Sequence, residues 1–206
     1  MQPAQTVRFI QRDPQTHTAS ISFTGSVARL RQGGHLVANS RDGSLDHIAQ
    51  GSYTLRVHSH GTWTVSKVDI GIIVGEFGSS NLGRSFDNSQ STPADSHTWL
   101  IKLDGSVQPL AGQGASELAN DLKAHFHCPV AIDAITLGGA SIIEADVGSN
   151  GHYWDNGLGY SRALEALASS GSDRWEIGIL GGVERDGASH VTDIGAVTNG
   201  LEHLLT

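Results

Sequence analysis

Three residue types that together can perform nucleophilic catalysis occur at the ends of predicted strands. Ser80 lies in the glycine-rich turn 78–83, which follows an apolar, β-branched run. Asp186 precedes His190 by four residues in Asp-Gly-Ala-Ser-His. A serine hydroxyl becomes an effective nucleophile when an imidazole accepts its proton and a carboxylate orients that imidazole. Ser80, His190 and Asp186 are therefore candidates for nucleophilic catalysis.

The elements that must position these residues alternate between strands and helices. Apolar periodicity predicts a buried strand from Val68 into the turn, further strands at 98–103, 130–137 and 175–180, and helices at 116–126, 160–168 and 195–205. Strands alternating with helices in this order predict a parallel sheet covered by helices. Ligands bind beyond the carboxyl ends of parallel strands. The glycine-bearing strand ends near Gly78, Gly138 and Gly181 are therefore expected to surround one cleft.

The N-terminal third of the chain predicts a different structure. Apolar and polar residues alternate at 19–24, 53–58 and 63–68 between glycine breaks, which is typical of strands with one face on a core. Ser59-His60-Gly61 is typical of a hairpin turn. We therefore expect a β-rich module over residues 1–66 and an α/β domain over residues 67–206.

Composition limits the classes of partner. The 13 basic and 21 acidic residues give a formal net charge of −8, and no segment collects basic with aromatic residues. This argues against a nucleic-acid or membrane partner. The longest apolar runs fall well short of the roughly 18 residues that cross a bilayer, so a soluble protein is expected. Secreted and virion-associated locations both stay open, and the oligomeric state is not predicted.

Cysteine and histidine usage predicts neither a disulfide nor a metal site. Cys128 is the single cysteine, and we expect it to be buried and inert. His58 with His60, and His125 with His127, are spaced to share a strand face, but no third ligand accompanies either pair. The first glycine turn also lacks the lysine of a phosphate-binding loop. No cofactor is expected.

Several blocks resemble one family of hydrolases. GSSNLGRS is similar to the Gly-Gln-Ser-Asn-Met-x-Gly block of the sialate O-acetylesterase-like carbohydrate esterases, within the SGNH (GDSL-like) hydrolase superfamily. LGGASI resembles their Gly-Gly-Thr-Ser-Ile block, and DGASHVTDIG resembles their Asp-Gly-x-His-x-Thr-x-x-Gly block. RFIQRD and the β-rich stretch after it resemble a module that precedes this domain in some members. The blocks follow the family's order.

The resemblance implies a fold, an activity and residue roles. The fold would be a flavodoxin-like α/β/α sandwich with a parallel sheet, and the activity a serine esterase that removes acyl groups, usually acetyl, from carbohydrate. Ser80 would be the nucleophile, with Asp186 and His190 completing the triad. The N–H groups of Ser80 and Gly139 would form part of the oxyanion hole, and Asn150 is the available counterpart of the family's oxyanion asparagine.

Three further residues are predicted to contact the substrate. Asn81 follows the nucleophile, Glu184 follows the third strand, and Trp154 lies in the polar, aromatic segment HYWDN, a mixture that stacks on sugar rings. Trp63 is a second aromatic candidate. These residues and Ser80 also have structural explanations. Serine and asparagine favour ordinary turns, acids favour the surface, and tryptophans favour cores and sheet edges.

The blocks depart from the family at two places, and a second reading stays open. Ser79 replaces the family's glutamine, and the turn is one residue shorter. The family's His-Gln-Gly-Glu-Ser-Asp block would coincide with 180–186, in which case the Asp-x-x-His loop would follow Thr206 or be absent, and the chain would be truncated or inactive. The alternative function is a non-catalytic glycan-binding protein, or a virion- or cell-surface structural protein, on a degenerate esterase scaffold.

Overall fold

The computed structural model describes residues 7–78, 95–102, 104–111, 113–136, 158–170 and 174–181. The strands in this part of the chain are β1 (Val7–Gln11), β2 (Thr18–Ser22), β3 (Val27–Gln32), β4 (His35–Ser40), β5 (Ser44–Ala49), β6 (Gly51–Ser59), β7 (Thr62–Gly78), β8 (Thr98–Ile101), β9 (Val107–Pro109), β10 (Val130–Thr136) and β11 (Ile177–Gly181). The helices are α1 (Gln113–Phe126) and α2 (Leu158–Ser170). The predicted helix over 195–205 lies outside the described residues.

The 17-residue strand β7 organises the larger sheet. Its first half pairs antiparallel with β6, and its second half pairs parallel with β10 on one side and β11 on the other. Within the described residues this sheet has nine strands: seven in the order β4-β3-β6-β7-β10-β8-β9, with β1 and β11 also paired to β7. Val68, Ile70 and Val74 are fully buried, because β-branched side chains fill a strand covered on both faces. The prediction of a buried strand running from Val68 into the glycine turn is confirmed as far as Gly78.

The N-terminal third is built from strands, as predicted. β6 and β7 form a hairpin whose turn residues, His60 and Gly61, have positive φ angles of 50° and 78°. Such angles suit the tight turns that match strand twist. The smaller sheet, β2 with β5, packs its Ile21 and Leu45 against one face of the larger sheet, where Leu30 is also fully buried. Alternation therefore leaves the other face of β3, β6 and the first part of β7, residues 62–67, turned outward.

The second half of the chain adds the parallel strands and the helices. β10 lies between β7 and β8 and is parallel to both. Helix α1 packs its small residues Ala115 and Ala119 on the sheet, and α2 contacts β10. The prediction that α1 begins at a Ser116 cap is wrong: the helix begins at Gln113, and Ser116 is fully buried within its first turns.

A mixed α/β fold with a large sheet is therefore observed, whereas the flavodoxin-like sandwich stays a prediction. Neither helix in the described part of the chain is long and apolar enough to span a membrane.

The two predicted modules meet inside β7, because residues 66 and 67 are both within this strand. At Gly71 the sheet passes from β6 to β10, and a Cβ on Gly71 would lie 1.9 Å from the Pro129 carbonyl oxygen. On the other side of β7, the Gln11 side chain accepts a 2.6 Å hydrogen bond from the Ile73 N–H, where β1 gives way to β11. The sheet is thus continuous across the predicted boundary, and the division into domains stays a prediction.

A buried ion pair joins β1 to the start of β11. Arg12 is 3% exposed, and its Nε donates to Glu176 Oε2 at 2.9 Å while its Nη2 donates to Glu176 Oε1. The hydrogen bond to Glu176 is the main reason that the pKa of Arg12 is raised. Two donors in a planar fork match a carboxylate, which makes this a bidentate pair. It anchors the N-terminal strand to the C-terminal part of the sheet.

Candidate functional site

Three parallel strands end in one row. Gly78, the last residue of β7, is in register with Thr136 on β10 and with Gly181 on β11. Adjacent strands lie about 4.8 Å apart, so the carboxyl ends of the two outer strands are about 10 Å apart with β7 between them. The prediction that these three strands run parallel and end at the same edge is confirmed. The three segments that carry the predicted site residues therefore follow strands that end at the same edge of the sheet.

The predicted site residues themselves lie outside the described part of the chain. In sequence, Ser80 follows the end of β7 by two residues, and Glu184 follows the end of β11 by three. The same holds for the other candidates: Asn81, Gly139, Asn150, Trp154, Asp186 and His190. Their roles stay predictions.

A buried carboxylate lies three residues before the end of β10. Asp133 is fully buried and in register with Gly75 on β7. Its Oδ2 accepts a 3.0 Å hydrogen bond from Trp175 Nε1, whereas its Oδ1 is buried with no hydrogen-bond partner among the described residues. Burial raises the pKa of the Asp133 carboxyl to about 6, although the hydrogen bond from Trp175 acts in the opposite direction. A charge inside an apolar sheet costs free energy, so this residue is a candidate for function rather than stability.

Glycine at position 75 allows Trp175 to reach this carboxylate. A Cβ on Gly75 would lie 2.4 Å from the indole ring of Trp175, closer than any side chain tolerates. The ring therefore packs directly over the backbone of β7. Asp133 was not among the predicted site residues, although an acid within the apolar run Val-Ala-Ile-Asp-Ala-Ile is a signal in the sequence.

A second polar cluster occupies the opposite end of the parallel strands. His97 precedes β8, and its Nδ1 lies 3.0 Å from Asp69 Oδ2 and 2.9 Å from Ser52 Oγ. Trp99 Nε1 donates a 2.6 Å hydrogen bond to the same oxygen of Asp69, which is 2% exposed. A cavity of about 520 Å³ adjoins the cluster. Besides residues of the cluster itself, it is lined by Gln32, Gly51, Asp95, Lys123, Ala124, His127, Cys128 and Pro129.

The geometry of this cluster differs from that of a catalytic triad. In a triad the carboxylate and the serine contact different nitrogens of the imidazole, so that a proton passes from the serine to one nitrogen while the other is held. Ser52 and Asp69 both approach the Nδ1 of His97. The cluster therefore orients His97 without activating Ser52.

Cys128, on the wall of the cavity, is 4% exposed. Desolvation by burial raises the pKa of its thiol, against a smaller lowering effect of Arg12. The prediction that this cysteine is buried is confirmed. Within the described ranges, no group of three or more histidine, cysteine or acidic side chains is arranged to hold a metal ion.

The fold is similar to that of a carbohydrate acetylesterase from Xanthomonas citri. The TM-score is 0.54 at 17% sequence identity, and the match covers 98% of this chain. It covers 55% of that chain, so this chain spans about half the length of its structural neighbour. No family model and no curated protein matches the sequence. A likeness at this level of identity establishes a shared fold.

Proposed function

We propose that this chain is a serine esterase that removes acyl groups, with acetyl esters of carbohydrates as its substrates. Ser80 is the proposed nucleophile, and His190 and Asp186 are its proposed partners. The observation that carries the proposal is the shared row in which β10, β7 and β11 end. The proposal also includes a flavodoxin-like arrangement of the parallel strands and helices.

The strand order supports these roles. β7 lies between β10 and β11, so the strand that precedes Ser80 in sequence lies between the strand that precedes Gly139 and the strand that precedes Asp186. A nucleophile needs its base on one side and its oxyanion donors within hydrogen-bond reach. A central strand with one parallel neighbour on each side provides starting points for both.

The proposed reaction needs water but no cofactor. His190 takes the proton from Ser80 Oγ as this oxygen attacks the ester carbonyl, and the N–H groups of Ser80 and Gly139 bind the resulting oxyanion. Each such donor lowers the barrier by roughly 3–4 kcal/mol in other enzymes. His190 then protonates the departing sugar oxygen, leaving an acyl group on Ser80. His190 next takes a proton from water as the water oxygen attacks this acyl group, and it returns that proton to Ser80 Oγ as the bond to the acyl group breaks and the carboxylic acid leaves.

Fold similarity gives independent support for the class of substrate. The structural neighbour is described as a carbohydrate acetylesterase, and its fold matches nearly the whole of this chain. Because folds host many activities, this support is an analogy, and the test must be made at the proposed site.

Ser80→Ala tests the nucleophile, and Ser79→Ala is the matched control because it removes a hydroxyl from the preceding residue. We expect Ser80→Ala to reduce the hydrolysis of p-nitrophenyl acetate and of glucose pentaacetate by at least about 10³-fold. Ser79→Ala should keep kcat/KM within about tenfold of the unmodified chain. Undiminished turnover by Ser80→Ala would remove this serine from the mechanism.

Asp186→Asn and His190→Ala distinguish the two alignments of the C-terminal blocks. If both residues belong to the triad, His190→Ala loses activity on a scale similar to Ser80→Ala, and Asp186→Asn loses at least about 10³-fold because the imidazole is no longer held in the correct tautomer. If both keep wild-type turnover while Ser80→Ala does not, the triad assignment of Asp186 and His190 is wrong.

A further inference from the structure

One face of the antiparallel strands carries basic side chains and a tryptophan. Cross-strand register places Arg29 on β3 directly opposite Arg56 on β6. In the row on one side of this pair, Trp63 on β7 is opposite His58. In the row on the other side, Arg31 and Lys67 flank Thr54. We call the surface formed by Arg29, Arg31, Arg56, Trp63 and Lys67 the basic face.

Strand alternation turns these side chains outward. The residues between them, Ala28, Leu30 and Leu55, are buried in the core beneath β2 and β5. Arg29 and Lys67 are exposed, and Trp63 is half-buried. The basic face is therefore accessible within the described part of the chain.

Trp63 contacts the guanidinium groups of both opposed arginines. The guanidinium carbon of Arg29 lies 5.1 Å from the centroid of the Trp63 ring, and that of Arg56 lies 5.2 Å from it. Two like charges directly opposite each other destabilise a sheet. No carboxylate in the described residues forms an ion pair with either arginine. Among the residues that the structure describes, this pair of cations therefore has no carboxylate partner, although the formal net charge of the chain is −8.

We propose that the basic face binds an anionic polysaccharide through its carboxylate groups, as in a uronic-acid polymer. A guanidinium group can donate two parallel hydrogen bonds to one carboxylate, and contact with the Trp63 ring limits the positions that each of these two groups takes. The energetic cost of placing Arg29 beside Arg56 is offset when a carboxylate binds between them. The acidic glycan thus binds to the antiparallel strands β3, β6 and β7, which precede the proposed esterase site in the sequence.

A carbohydrate fits better than a nucleic acid. Nucleic-acid surfaces need many phosphate contacts, and the chain as a whole repels a polyanion of high charge density. The basic face offers four full positive charges, which suits a polymer of lower charge density. The choice of carbohydrate rests on the proposed function, whereas binding to the face does not require Ser80.

The test measures binding of the full chain to polygalacturonate by isothermal titration calorimetry. Fully methyl-esterified polygalacturonate is the neutral comparison, and a double-stranded DNA oligonucleotide is the alternative polyanion. The variant is Arg29→Gln with Arg56→Gln. Its matched control is Arg41→Gln with Lys102→Gln, which makes the same change in net charge at exposed positions outside the basic face.

We expect polygalacturonate to bind and to bind more weakly as salt is added, while the esterified polymer does not bind. The Arg29/Arg56 variant should lose at least about tenfold in affinity, and the control should stay within about threefold. The variant should also keep or raise the melting temperature, because it relieves the repulsion between the two arginines. A lower melting temperature with unchanged affinity would indicate a structural role and overturn the proposal.

Other outcomes also decide the question. Absence of binding to polygalacturonate, equal losses in variant and control, or tighter binding to DNA would each overturn the proposal. Repeating the titration with Ser80→Ala separates the two proposals, since loss of catalysis leaves polymer binding unchanged. An inactive wild-type chain that still binds polygalacturonate would contradict the proposed esterase activity alone.

Discussion

The buried carboxylate of Asp133 should make the stability of this protein depend on pH in an uncommon direction. Asp133 is fully buried in β10 and receives a hydrogen bond from Trp175 on one oxygen. Asp133→Asn replaces it with a neutral side chain of nearly the same shape, whose carbonyl oxygen can still accept the Trp175 N–H. The amide NH₂ adds a fixed cost that does not change with pH.

The magnitude follows from the raised pKa. The pKa of Asp133 rises from its ordinary value of 3.8 to about 6 because of burial. Each unit of pKa difference corresponds to about 1.4 kcal/mol, so ionised Asp133 costs the folded state about 3 kcal/mol. The folded state binds the proton more tightly than the unfolded state does. This cost is therefore absent below pH 3.8, develops as the pH rises towards about 6, and is constant above it.

Urea denaturation of both proteins from about pH 3 to about pH 8 measures the effect. Other carboxyl groups titrate alike in the two proteins, so their contributions cancel in the difference between the two free energies of unfolding. We expect this difference to move by about 3 kcal/mol in favour of Asp133→Asn across the range.

Asp104→Asn is a control with the opposite sign. Hydrogen bonds from Ser106 lower the pKa of the exposed Asp104, so its carboxylate stabilises the folded state above the ordinary pKa, and this contribution is lost as the pH falls. Asp104→Asn should therefore lose stability relative to the wild type as the pH rises. If the difference between wild type and Asp133→Asn is independent of pH, the reasoning about Asp133 is refuted.

Two further predictions concern the buried pair and the cysteine. Arg12→Met leaves Glu176 without its cation and should lower the free energy of unfolding by about 3–5 kcal/mol. Adding Glu176→Met to this variant should restore most of the lost stability. Equal losses in the single and double variants would contradict this role for the pair. Cys128, buried and with a raised pKa, should react with a thiol-specific disulfide reagent at least about 100-fold more slowly in the folded protein than in urea; similar rates would show that the thiol is accessible.

Local patterns predicted the elements of this fold better than their arrangement. The β-branched run after Val68 and the alternation at 53–58 indicated strands, and both are observed. The start of α1 was missed, because Ser116 has the side chain of a helix cap but is buried inside the helix, and only packing against the sheet decides between the two. For the candidate site, the parallel strands and their common edge were predictable, since alternation of strands and helices restricts the connections.

The chemistry brought together by distant residues could not be read from the chain. No segment of the sequence collects basic with aromatic residues, yet the register across three strands brings Arg29, Arg56 and Trp63 to one face. The contact of Trp175 with Asp133 likewise joins residues 42 positions apart. Such contacts depend on which strands become neighbours, and period-two patterns specify a face of each strand without specifying its partner.

The sequence by itself determined that this chain has a β-rich beginning, a buried central strand that runs into a glycine turn, and ordered blocks from which the roles of Ser80, Asp186 and His190 are proposed. These are local properties, set by side-chain shape, periodicity and turn preference. Only the tertiary structure decided that β7 serves both halves of one sheet, that its end lies level with those of β10 and β11, and that Asp133 and the basic face exist as units. Burial and like-charge proximity arise only when separate strands are packed together, and both Asp133 and the basic face depend on them.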